Sequence, residues 1–173
     1  MRKLLKNKKG ELTDYLIFLI TIFILAIGFF VMIYVIPEIG NGLKNAGMNS
    51  TSEGSDAIES MISIGTGTIN MGFMLLFVGL IISMMITSFM VRTHPIFLFL
   101  YILFLGITLL LGLYLGNAYY TFEQNPLFAS TIANAGFIHL VMSNIVLITL
   151  AVSALSMIII FAKFSTFGGT QQF

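Results

Sequence analysis

Four long apolar runs without a Lys, Arg, Asp or Glu constrain this chain more than anything else in it: residues 15–36, 69–91, 96–115 and 137–162. Crossing the roughly 30 Å of hydrocarbon in a bilayer takes about 20 such residues, and each run supplies them. Lipid offers no partner to a peptide N–H or C=O, so each run must satisfy its backbone within itself, as a helix. Strands are a poor alternative, because the runs lack the alternation of a membrane barrel. The expected fold is an all-α integral membrane protein of four transmembrane helices in two hairpins. Composition agrees: 9% of residues are charged and the mean hydropathy is +1.02, whereas soluble domains carry about a quarter charged residues.

The charges orient the spans. Arg2, Lys3, Lys6, Lys8 and Lys9 precede the first, Arg92 follows the second and Lys163 the fourth, which places seven of the eight basic residues on one side. Lys44 alone shares the other side with Glu38, Glu53, Asp56, Glu59 and Glu123. Basic residues are retained in the cytoplasm, so both termini are expected inside. The expected single membrane domain reads as a basic N-terminus (1–14), spans at 15–36, 69–91, 96–115 and 137–162, an inner turn (92–95), outer loops (37–68 and 116–136) and an inner tail (163–173). Lys8-Lys9-Gly10-Glu11 before an apolar run resembles a type IV pilin leader. Three further spans are foreign to a pilin, and the first run is long for a signal peptide and lacks an Ala-x-Ala site, so a retained anchor is expected.

Both outer loops contain helix signals. Pro37 and Glu38 should stop the first span. Ser55 is the expected cap of a short helix carrying Asp56 and Glu59 in its first turn, with Ile58, Met61, Ile62 and Ile69 along one side; it is expected to lie on the outer membrane surface before the chain turns inward. Gly116-Asn117 should end the third span. Asn125-Pro126 pairs a cap with proline at the first helical position, and residues 127–135 form a second short amphipathic stretch. The segment 68–73 resembles 131–137 with one insertion, a hint of duplicated hairpins.

Residues able to carry chemistry are few. Cysteine is absent and His94 and His139 are the only histidines, so no catalytic, cofactor-binding or metal-binding residue is expected. Counting about 20 residues back from Lys163 puts the outer boundary near Ser143 and His139 at headgroup level. Thr66, Asn70, Ser83 and Thr87 on the second span and Asn144 on the fourth would wet a pore only if several copies formed a ring. More simply, they bond backbone or a neighbouring helix. Gly112 and Gly116 form a GxxxG pair, and Gly79 and Ser83 a second small pair with Gly72 one heptad earlier; both are expected helix-packing seams with close backbone approach. Phe164, Phe167 and Phe173, in a Gly/Gln-rich tail, are expected either to anchor a partner protein on the inner side or to sit at the interface. The basic N-terminus suits anionic lipid headgroups, and nucleic acid is not expected.

The segments 92–98 and 161–169 match no enzyme, receptor or transporter motif. In topology and composition the chain resembles small multi-spanning membrane proteins of lipid-containing viruses and mobile elements. That resemblance implies a non-enzymatic structural protein packed side by side in a virion or cell membrane, as a homo-oligomer or with other membrane or capsid proteins. The alternatives are a small oligomeric channel or holin-like pore, and an accessory subunit of a larger membrane complex.

Overall fold

A computed structural model describes residues 10–90 and 96–167. Among the described residues the chain is helical, with no strand. Seven α-helices follow in order: α1 (Gly10–Asn45), α2 (Ser52–Ser63), α3 (Ile69–Met90), α4 (Ile96–Glu123), α5 (Ala129–Asn134), α6 (Gly136–Ser143) and α7 (Ile145–Phe167). Short 3-10 turns occupy Met48–Ser50 and Pro126–Phe128, and a π turn, Ile64–Thr68, joins α2 to α3. Two compact units result: residues 1–21, 78–116 and 144–173 in the first, and residues 22–77 and 117–143 in the second. The inner turn, His94, the basic N-terminus before Gly10 and Phe173 lie outside the described residues.

Three helical runs are long and apolar enough to cross a membrane: Leu16–Asn45, Ser52–Phe89 and Phe99–Glu123. The count reaches four if the bent pair Pro126–Asn134 and Gly136–Ser143 is one span. Instead of one helix over 137–162, the chain has α6, a turn at Asn144, and α7 continuing to Phe167. Phe164 and Phe167 thus belong to α7 rather than to an extended tail.

Helix α1 does not stop at Pro37, which sits inside it. A proline within a helix loses one backbone bond and crowds the preceding turn, at a cost of about 3 kcal/mol. Packing in the second unit offsets that cost. Gly40 is buried, and Ile62 and Ile58 of α2 close over it. The π turn places Gly65 on Pro37: a Cβ there would stand 2.8 Å from the proline Cδ and 3.0 Å from Ile36 Cγ2. Helix α1 ends only at Asn45, two residues before Gly47, whose φ of 81° is left-handed and favours glycine.

Thr51, not Ser55, caps α2, its hydroxyl accepting from the Gly54 N–H at 3.1 Å. The helix starts earlier than expected because the Gly47 turn reverses the chain within a few residues, which puts Glu53 rather than Asp56 in the first turn. Ile58, the apolar centre of α2, is buried, and Ser52–Phe89 continues as one helical run of 38 residues rather than turning sharply. Helix α4 likewise passes Gly116-Asn117, because burial of Tyr119 beside Phe30 outweighs the weak breaking tendency of glycine. Asn125 caps the next turn as expected, accepting from Leu127 N–H at 3.1 Å with Pro126 at the first position.

The Pro37–Gly65 contact sets a mutational test. Gly65→Ala drives a methyl into a rigid ring and should cost about 1–3 kcal/mol. Gly40→Ala, which meets the flexible Ile62 side chain, should cost less. Thermal unfolding in detergent reads both, and Pro37→Ala should restore part of the Gly65→Ala loss in a double-mutant cycle. Full additivity would mean the two residues do not meet.

Candidate functional site

In the second unit the last turns of α4 and the start of α6 bring three ionisable side chains together. Tyr119 and Glu123 are one turn apart on α4, and His139 stands opposite. Its Nδ1 lies 3.4 Å from the Tyr119 hydroxyl and 3.7 Å from Glu123 Oε1. The tyrosine is buried, whereas the His139 and Glu123 side chains remain 35% and 27% exposed. A half-exposed pair at this distance is worth little, at most about 1 kcal/mol. Asn70 contributes from α3: its Oδ1 accepts from the Ile138 N–H at 3.4 Å, capping α6 across 68 residues of sequence.

Aromatic packing holds this cluster in place. Phe30, fully buried on α1, meets Tyr119, Phe122 and Phe128 edge-on at 6.3, 5.4 and 5.7 Å between ring centres. Phe122 and Phe128 stack at 4.3 Å, and Tyr34 adds an edge to Phe128 at 5.2 Å. On the other side Phe73 packs against Phe29, Phe77 and Phe137. Tyr119 is therefore a wall of an apolar cluster, with His139 and Glu123 at its wet edge. Among the described residues no three of His, Cys, Asp and Glu gather in the manner of a metal site.

The glycines singled out by spacing separate into three kinds. Gly112 and Gly116, in the first unit, face side chains rather than backbone: an added Cβ would stand 3.7 Å from Val146 and 3.8 Å from Leu19 at Gly112, and 3.4 Å from Ile145 at Gly116. These are ordinary van der Waals distances, so the pair forms a floor for branched side chains, not a close backbone crossing. Gly72 meets only Phe29, at 3.6 Å. Gly79 meets nothing within 4 Å, and both it and Ser83 are exposed. The glycines at which an added Cβ would clash, Gly40, Gly54 and Gly65, lie outside both motifs.

Polar residues on the spans are mostly accounted for by their own helices. Thr66 and Thr87 donate to the carbonyls of Ile62 and Ser83. Spacing on the second span did not point to the buried hydroxyls of the first unit: Ser88, Thr108, Thr149, Ser153 and Ser156. The signal was present on α7, where Thr149, Ser153 and Ser156 recur at i, i+4 and i+7 and so share one face.

Substitutions should separate the wall from the edge. Tyr119→Ala should cost about 3–5 kcal/mol, as expected of a buried aromatic. His139→Gln and Glu123→Gln should each change stability by less than about 1 kcal/mol and leave assembly intact. Thermal unfolding and gel filtration in detergent measure both. A loss of assembly in a well-folded His139→Gln protein would make the histidine a true site.

No protein-family model, no curated protein and no solved structure matches this chain.

Proposed function

We propose that this chain is a non-enzymatic structural protein of a membrane, built to pack side by side with its own copies or with other membrane proteins. The observation that carries the reading is the outward surface of α3 and α4. Leu75, Phe99 and Leu110 are 70%, 73% and 69% exposed, and Met71, Ile82 and Ile86 continue the same character. Such a surface is stable only in lipid or against another apolar protein. The open Gly79–Ser83 face gives a neighbouring helix a place to approach closely.

A pore needs a continuous hydrophilic stripe, because apolar constrictions dewet. Along α3 the segment 71–82 carries no polar side chain, a stretch of roughly 18 Å at 1.5 Å per residue. The hydroxyls that flank it at Thr66 and Thr87 are bonded to backbone. This supports a sealed helix assembly over the holin-like alternative.

In the proposed arrangement the chain spans four times, with α7 as the last crossing, both termini inside, and α5 lying in the outer interface. The 107° bend between the Pro126–Asn134 segment and α6 supports that interfacial placement, as does Leu127, which is exposed at its start. The basic N-terminus would meet anionic headgroups, and Phe164 and Phe167 at the end of α7, with Phe173 beyond them, would meet an inner partner such as a capsid protein. A virion or cell membrane would suit the whole equally.

Two experiments test this reading. Single cysteines at Ser50 and Thr170 of this cysteine-free chain should label from opposite sides of the membrane; labelling of both by an impermeant reagent outside intact cells would overturn the topology. In liposomes the protein should show no conductance, yet cross-link into oligomers at high density. Gly79→Leu should weaken that cross-linking while leaving the unfolding midpoint unchanged. Discrete channel openings that respond to Ser83→Leu would replace the structural reading with the pore.

A further inference from the structure

The interior of the first unit holds hydroxyl groups in two different states. Ser88, Thr108 and Thr149 each donate to the carbonyl four residues earlier on their own helix, at 2.9, 2.9 and 2.7 Å. This is the ordinary way a Ser or Thr is satisfied inside a helix. Ser153 and Ser156 depart from it. Both are buried, at 1% and 0% exposure, and neither hydroxyl has a hydrogen-bond partner. An unsatisfied buried hydroxyl costs about 1–3 kcal/mol, and two stand one turn apart on the same face of α7. Helix α4 brings a third polar group to that turn: the Tyr101 hydroxyl, itself buried, donates to the Ser153 carbonyl at 2.7 Å.

We propose that Ser153 and Ser156, with the Tyr101 phenol beside them, form a binding site for an internal water that bridges α7 to α4 within the apolar interior. Positions i and i+3 on a helix stand about 5–6 Å apart at Cβ, a separation that one water spans with two hydrogen bonds of ordinary length. Buried waters typically make two to four hydrogen bonds to groups that would otherwise go unpaired, and this turn of α7 offers that number of polar atoms. Phe18, Leu19, Met84 and Val152, also buried in the first unit, carry apolar side chains that could not serve as partners. The water would fasten α4 to α7 without an ionisable group.

The test uses the full chain in lipid bilayers and water-selective magnetisation transfer in solid-state NMR. Water signal should reach Ser153 and Ser156 while Leu155, exposed on the opposite face, stays dark. The Ser153→Ala/Ser156→Ala variant should lose water transfer to the Tyr101 hydroxyl and unfold about 2–4 °C lower. Tyr101→Phe, which keeps the ring, should weaken the transfer to both serines. No transfer at mixing times that light up His139 would overturn the proposal. So would a double variant as stable as the parent or more so, since that would mean the hydroxyls bind nothing. A drop in midpoint without a water signal would assign them to direct protein bonds and overturn it equally.

Discussion

Three helical runs of this structure are long and apolar enough to cross a membrane, and in such surroundings the backbone could borrow no hydrogen bonds. A peptide group left unpaired in hydrocarbon costs several kcal/mol, which leaves helices as the only form open to the long apolar runs. The same pressure reaches the side chains. Thr87, Ser88, Thr108 and Thr149 all turn their hydroxyls back onto their own helices, and Asn70 spends its amide oxygen on the start of α6. The exceptions therefore carry information: two serines that do not turn back, and one helix that tolerates a proline.

The proline shows how tertiary packing overrides a local signal. Pro37 weakens α1 at that point, and in isolation would end it. The π turn supplies a glycine at the place where the proline ring projects, while Gly40 one turn on admits Ile62 and Ile58. Each feature would be unfavourable alone: a proline inside a helix, an irregular turn, glycines in helical segments. Together they let α1 and α2 pack beyond the apolar runs as two helices with a buried contact. Consistency among several weak violations is what marks such a feature as part of the fold rather than a defect.

The existence and helical nature of the apolar runs were legible because stretches that long and apolar leave the backbone few partners but its own. The ends were not legible. Pro37, Gly116 and Asn117 are stop signals in sequence, yet α1 runs on to Asn45 and α4 to Glu123, because Ile58, Tyr119 and Phe122 gain more by burial than the local signals cost. The Asn125-Pro126 cap was readable, being decided within three residues. The cap at Thr51 was not, because it depends on the left-handed Gly47 turn just before it. Tyr119 and Glu123 could not be read as neighbours of His139, since they sit on another helix.

Glycines were the hardest residues to read, and the reason is physical. Lipid tails are as apolar as leucine, so a helix face toward lipid and one toward protein need not differ in polarity, and small residues become the main clue to contact. Spacing cannot say which contact is tight. Gly112 and Gly116 serve the chain's own side chains, Gly40, Gly54 and Gly65 leave no room for a Cβ, and Gly28, Gly79 and Gly106 meet nothing within 4 Å. Those last three lie on three different helices. A single self-complementary face closes on itself as a two-fold dimer and stops. Extended side-by-side packing requires a second, different face, and the open glycines of α1 and α4 are the positions at which a neighbour could approach without displacing a side chain. Growth of the proposed assembly past a pair would therefore turn on whether a second face of that kind exists, not on the strength of the first.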